Sequence, residues 1–346
     1  METMKPIHII ILMCAIAIFL VMIFLQTQQF DGINAVETLR LEAYPDDLVL
    51  DLDTFASYQG LTFVDNTLYI GTSSPNGLVA YDVTTQEQTL DLNYPARHIV
   101  YDDELALLYV VGRGGVINSL TAYNLQNEIV WAINQNNTRI PVRIFVNSAG
   151  DDFAWLPSDE LARIESDNGV FLSEAIQPNF DLDYSQSASG YFWTVYGSVL
   201  EARLIENSNE VIWRSTYEEF PSGTTRQVWF DGNYILMKHS AQLWLINYET
   251  GALVWQYDET GIASNFEVID EEIIVLDAEA SLLRLDLLTG AIINRVTFEQ
   301  PLEDQRRTTV SSEAIGSSVI AVNADYIAIF FGDTDTLAVF SYSIFE

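Results

Sequence analysis

The chain has 346 residues, 49% of them hydrophobic, a formal net charge of −34 and a single cysteine. So negative a surface repels nucleic acid and anionic lipid headgroups, which excludes nucleic acid as a natural partner. One cysteine excludes an internal disulfide framework and a cysteine-built metal centre.

Residues 1–6 form a short N-terminal stub. Residues 7–25 are apolar apart from His8. Nineteen helical residues cover about 28 Å, one bilayer core, so this run predicts a transmembrane signal-anchor helix. Lys5 precedes it, whereas Asp31 and Glu37 follow it. That bias places the stub in the cytoplasm and everything after the helix on the extracytoplasmic side of a single-pass membrane protein. Cleavage as a signal peptide is the alternative, although Ile33-Asn34-Ala35 makes a poor cleavage site. Cys14 lies inside the apolar run, so the exported part has no thiol. Residues 26–46 read as a polar tether.

From residue 47 to residue 346 the chain repeats itself about every 40 residues, a propeller signature. The turn after each third strand falls at Asp82, Asn124, Glu165, Glu206, Asn247, Asp286 and Ser341. That spacing leaves room for four short strands and their turns, and none for a crossover helix. Three fourth strands end in Trp131, Trp213 and Trp255, large rings suited to wedging between neighbouring sheets. The last unit stops after its third strand, and a spare strand at 47–52 stands before the first. The expectation is an all-β, seven-bladed β-propeller whose last blade is completed by 47–52. Six or eight blades follow if the insertion near 301–318 is read differently.

Residues 243–255, LWLINYETGALVW, and the run Leu285-Asp286-Leu287-Leu288-Thr289-Gly290 resemble the repeat of PQQ-like (quinoprotein-type) propellers. The other units are degenerate. The resemblance implies two branches, non-enzymatic envelope assembly factors of the BamB type and quinoprotein dehydrogenases. In the dehydrogenases quinone lies beside an adjacent-cysteine pair with calcium. The propeller here has no cysteine, so the BamB-like, non-enzymatic branch is the expectation, with no cofactor.

In such blades the first-to-second and third-to-fourth turns share one end of the ring. Those turns are acidic here, from Asp65 through Asp270-Glu271-Glu272. At the opposite end the sequence places Arg97, Arg113, Arg143, Arg226, Lys238 and His239. Arg97, Arg143 and Arg226 are expected at one shared repeat position at the start of the innermost strand, beside the central channel. Guanidinium groups there suit carboxylate or phosphate. The alternative is that each pairs with a carboxylate of its own loops.

No catalytic or metal-binding constellation stands out. The histidines His8, His98 and His239 are scattered, and no Gly-Lys-Ser/Thr phosphate loop occurs. The leading functional expectation is therefore a membrane-anchored protein-binding or scaffolding module, a subunit of a membrane or envelope complex. The second is recognition of a small acidic ligand or glycan, or lyase-type chemistry, at the arginine-bearing end. The third is a quinoprotein-like redox enzyme.

Overall fold

Runs such as Ile273-Ile274-Val275-Leu276 and Leu243-Trp244-Leu245-Ile246 are apolar at every position and buried at every position. A strand reads this way only when both of its faces are covered. The computed structural model shows what covers them. It describes residues 37–345 except 41–47, 52–57, 73–76, 93–95, 115–116, 135–142, 146–150, 156–160, 172–184, 189, 205–208, 218–224, 300–317 and 332–335. Residues 7–25 and most of the insertion near 301–318 therefore lie outside the described residues. Among the described residues no helix is long and apolar enough to cross a membrane.

The described residues form seven β-sheets. Within each sheet the repeat's own strands pair antiparallel, in chain order. The first strands are Tyr58–Val64, Ala96–Asp102, Arg143–Phe145, Ser185–Ala188, Thr225–Phe230, Ile262–Ile269 and Val319–Val322. From Ser185–Ala188 through Val319–Val322, and on through Tyr58–Val64 and Ala96–Asp102 to Arg143–Phe145, each lies against the next. First strands are thus innermost, and the arrangement is cyclic. The seam between the last and first sheets has its own core, where Leu68, Ile70 and Val79 pack with Ala328, Phe330 and Leu337. Leu48–Asp51 lies antiparallel to Thr336–Ser341, as the fourth strand of the seventh sheet. Glu37–Arg40, which the sequence assigns to a tether, is a strand as well. It runs parallel to Ile292–Glu299 on the outer edge of the sixth sheet.

The recurrent tryptophans join neighbouring sheets. Trp131 Nε1 donates to Ser166 O (2.9 Å), Trp213 Nε1 to Tyr248 O (2.8 Å) and Trp255 Nε1 to Leu287 O (2.9 Å). Each acceptor belongs to the third-to-fourth turn one sheet further on. That turn's glycine faces the ring: a Cβ on Gly290 would stand 2.7 Å from Trp255 Cδ2. In the turn itself Asp286 accepts from the Thr289 amide and hydroxyl. Those bonds hold its carboxyl below the usual carboxylate range. The Asp-x-x-Thr-Gly pattern is thus a folded turn shaped to receive a neighbour's indole.

Register corrects one repeat boundary. Tyr191 pairs with Leu204 as Tyr234 pairs with Asn247, and a bulge precedes each by one step. The fourth turn therefore begins at Leu204 rather than Glu206. That unit lacks the Thr-Gly signature, and spacing alone misplaced it.

Candidate functional site

First strands begin, second strands end and third strands begin at one end of the ring. All six sequence-predicted residues have their backbones there. Arg97 sits at the irregularity between Ala96 and His98. Arg113 pairs with Asn118, and Arg143 with Trp155. Arg226 sits at the irregularity between Thr225 and Gln227. Lys238 pairs with Gln227 and Leu243, and His239 with Thr225 and Gln242.

The expected shared position holds for two arginines only. Arg97 and Arg226 are equivalent, each at a bulge one residue before the side chain that grips the next sheet. Arg143 is equivalent instead to His98 and Gln227, one residue later. Successive strand residues point to opposite sides, so one step changes the direction of the side chain. The side chains of the four arginines lie outside the described residues.

Lys238 and His239 are placed differently from an open rim. They are 3% and 1% exposed. The Lys238 ammonium donates to Ser264 O, on the innermost strand of the sixth sheet. It joins two sheets and does not line the channel. The burial follows from local pattern: these two residues continue the buried run Ile235-Leu236-Met237.

Repeat spacing does not single out the residues that build the inner wall. Gln227 Nε2 donates to Phe266 O (2.7 Å), and Gln227 Oε1 accepts from Phe266 N (2.7 Å). One sheet on, Asn265 Nδ2 donates to Ile320 O (2.9 Å) and Asn265 Oδ1 accepts from Ile320 N (2.8 Å). His98 Nε2 stands 3.3 Å from Ile144 O at the same repeat position. A side-chain amide offers a donor and an acceptor side by side, so it satisfies both backbone groups of one neighbouring residue. These clips satisfy backbone that would otherwise be left open beside the channel. The advance signal was faint, a polar residue at that position followed each time by an apolar one: His98-Ile99, Gln227-Val228 and Asn265-Phe266.

Glu267 lies two residues beyond Asn265, whose Nδ2 donates to it at 3.1 Å. Burial pushes its carboxyl up to about 8, and the Asn265 bond pulls weakly the other way. The residue keeps partial contact with solvent, which tempers the effect. An acid with a raised folded pKa stabilises the fold fully below its ordinary value near 4.5, and that stability is lost as pH rises toward about 8. Glu267→Gln is therefore expected to raise the melting temperature by several degrees at pH 8.5 and to leave it unchanged at pH 4. Paired thermal melts at the two pH values check this.

Two further features flank the wall. In the fourth sheet Glu201 is fully buried and accepts from Arg203 Nη2 (2.8 Å) and Arg214 Nε (2.7 Å). At the opposite end Asp65, Asp103, Glu104, Asp231, Asp270 and Glu271 are exposed. Part of that acidity is turn chemistry: Asp231 Oδ1 accepts from the amides of Asn233 (2.8 Å) and Tyr234 (2.7 Å). Among the described residues no three His, Cys, Asp or Glu side chains stand together as a metal set.

A ring of antiparallel sheets packed face to face around innermost strands defines a β-propeller. Solved propellers share the fold. The β-propeller domain of Cps50 (Swd1) from Myceliophteria thermophila matches 85% of this chain and 99% of its own, at 11% identity and a TM-score of 0.58. KlHsv2 with loop 6CD replaced by a Gly-Ser linker matches 80% of this chain and 90% of its own, at 11% identity and a TM-score of 0.54. BamB from Moraxella catarrhalis matches 82% and 85%, at 14% identity and a TM-score of 0.47. Residues 197–340 match the family model PQQ_2, described as outer membrane protein assembly factor BamB. Over residues 197–340 the repeats are thus similar to PQQ-like repeats of the BamB-like kind. No curated protein matches the chain.

Proposed function

We propose that this chain is a seven-bladed propeller closed by residues 48–51 and held on the extracytoplasmic side of a membrane by a helix over 7–25. It binds protein partners there as a rigid scaffold within a membrane or envelope complex. The observation that carries this reading is the match of residues 197–340 to the BamB assembly-factor model. The seven sheets support the blade number. The amide clips and docked indoles support the rigidity, because they tie neighbouring sheets together at both the inner and outer rims. The apolar run and its flanking charges support the anchor. Purification of the tagged full-length chain from detergent extracts, followed by mass spectrometry, tests the proposal. A stoichiometric membrane or envelope protein is expected. Recovery of this chain alone across several detergents overturns it.

A second reading places a small acidic ligand, such as a sugar acid or a phosphate, at the arginine-bearing end. It is favoured by the equivalence of Arg97 and Arg226, which sets two guanidinium-bearing positions at matching points of the ring. Thermal melts with a panel of sugar acids and phosphates discriminate: a saturable rise supports this reading, and a flat panel removes it.

A further inference from the structure

We propose that the acidic end of the second sheet is a docking face for a basic, amphipathic segment of a partner protein, with Leu105, Leu125, Ile129 and Val130 as its apolar floor. This rests on the protein-binding reading above and gives it a place and a partner chemistry.

Nine large apolar side chains are exposed among the described residues, and these four stand in one sheet. No other sheet carries more than two, so the concentration differs from the ordinary scatter of surface apolar residues. Ile129 is 61% exposed, the most of the nine. The register brings the four together. Leu108 and Ile129 both pair with Tyr123, and Leu107 pairs with Asp102. Neighbouring strands lie about 4.8 Å apart, so this three-strand line is about 10 Å wide. The turns bearing Leu105 and Leu125 leave the sheet at that line.

Folding does not call for apolar side chains there. Asp102 Oδ1 accepts from the amides of Glu104 (3.0 Å) and Leu105 (3.1 Å), which shapes the first turn. Asn124 Oδ1 accepts from the amides of Gln126 (3.0 Å) and Glu128 (2.9 Å), which shapes the second. The two leucine side chains take no part in either. Val130 is the extra residue of the bulge between Ile129 and Trp131, outside the ladder register. Tyr69 Oη donates to Asn127 Oδ1 (2.9 Å) and fixes the second turn against the first sheet. A floor held in this way loses little freedom when a partner arrives.

Charge selects the occupant. Asp103, Glu104 and Glu128 are exposed around the floor, and neither turn holds a lysine or an arginine. An apolar centre with a charged rim is the anatomy of a protein interface, and the sign of the rim calls for lysine or arginine on the partner. A bare cation makes no use of the leucines.

A fluorescent peptide of lysine and leucine, its leucines on one helical face, is the probe. Anisotropy reads its binding to the full-length chain in detergent, with protein-free detergent as the blank. Wild type is expected to bind it at least tenfold tighter than a lysine–serine counterpart, and to bind no glutamate–leucine counterpart. Leu125→Ser with Ile129→Ser and Val130→Ser should weaken binding about tenfold. Asp103→Asn with Glu104→Gln and Glu128→Gln should weaken it at low salt and flatten its salt dependence. Leu253→Ser with Val254→Ser, at the equivalent positions of the fifth sheet, should change nothing. Leu105→Ser with Leu125→Ser alters turn tips alone and should weaken binding about threefold, which keeps the test readable if the strand variant melts below wild type. No binding to wild type, or equal binding by every variant, overturns the face. Equal binding of the two lysine peptides, or an equal loss in the fifth-sheet variant, means unspecific adsorption of a polycation and overturns it too. If the turn variant retains the membrane or envelope protein that wild type retains, the scaffold reading stands and only this face falls. Peptide binding that maps here in a chain that purifies alone keeps the face and overturns the scaffold.

Discussion

Glu201→Ala is expected to cost about 3–5 kcal/mol, because it leaves a buried guanidinium without its counter-charge. Glu201 is 0% exposed and Arg203 is 8% exposed, so water cannot replace the lost carboxylate at Arg203. Arg214 differs, since its side chain is 56% exposed and solvent can hydrate it once Glu201 is gone. The loss should therefore follow Arg203 and not Arg214. Urea denaturation of Glu201→Ala, Arg214→Ala and the pair Glu201→Met with Arg203→Met separates these. The double substitution removes both charges and fills the space with apolar atoms, and is expected to recover most of the loss. A Glu201→Ala chain as stable as wild type would mean that the pair contributes nothing.

The next largest effect belongs to Gly290→Ala. Gly290 has φ +68°, and its missing Cβ is the space that Trp255 occupies, 2.7 Å away. The left-handed backbone costs an L-residue about 1–2 kcal/mol. Displacing the indole adds an overpacking term of about 1–3 kcal/mol. Gly197→Ala isolates the first contribution, because Gly197 has φ +55° with nothing within 4 Å. The difference between the two variants in denaturant melts measures how tightly the indole is seated. Equal losses would dismiss the indole contact.

The architecture was legible because it is written locally and repeatedly. Trp131, Trp213 and Trp255 announce a fixed place in each unit, and Asn247 and Asp286 begin turns whose threonine and glycine follow at set offsets. The inner wall was not legible for a physical reason. Gln227 meets Phe266, and Asn265 meets Ile320, across a seam whose register depends on bulges no spacing reveals. The same bulges separate Arg143 from Arg97 and Arg226. Lys238 illustrates a different limit: a lone cation beside a turn reads as solvated, yet its neighbours Leu236 and Met237 take it into the protein and Ser264 supplies its acceptor. Glu37–Arg40 was missed because an added edge strand needs only backbone groups and leaves little mark on composition.

The pairing of Leu48–Asp51 with Thr336–Ser341 sets the timing of biogenesis. Those two ribbons lie far apart along the chain, so the first sits idle until the strand of the last sheet has been made. The last sheet is then completed through a contact of very long sequence separation, the kind of pairing that forms slowly. Premature termination anywhere upstream yields a split ring with raw edges, a ready substrate for quality-control proteases.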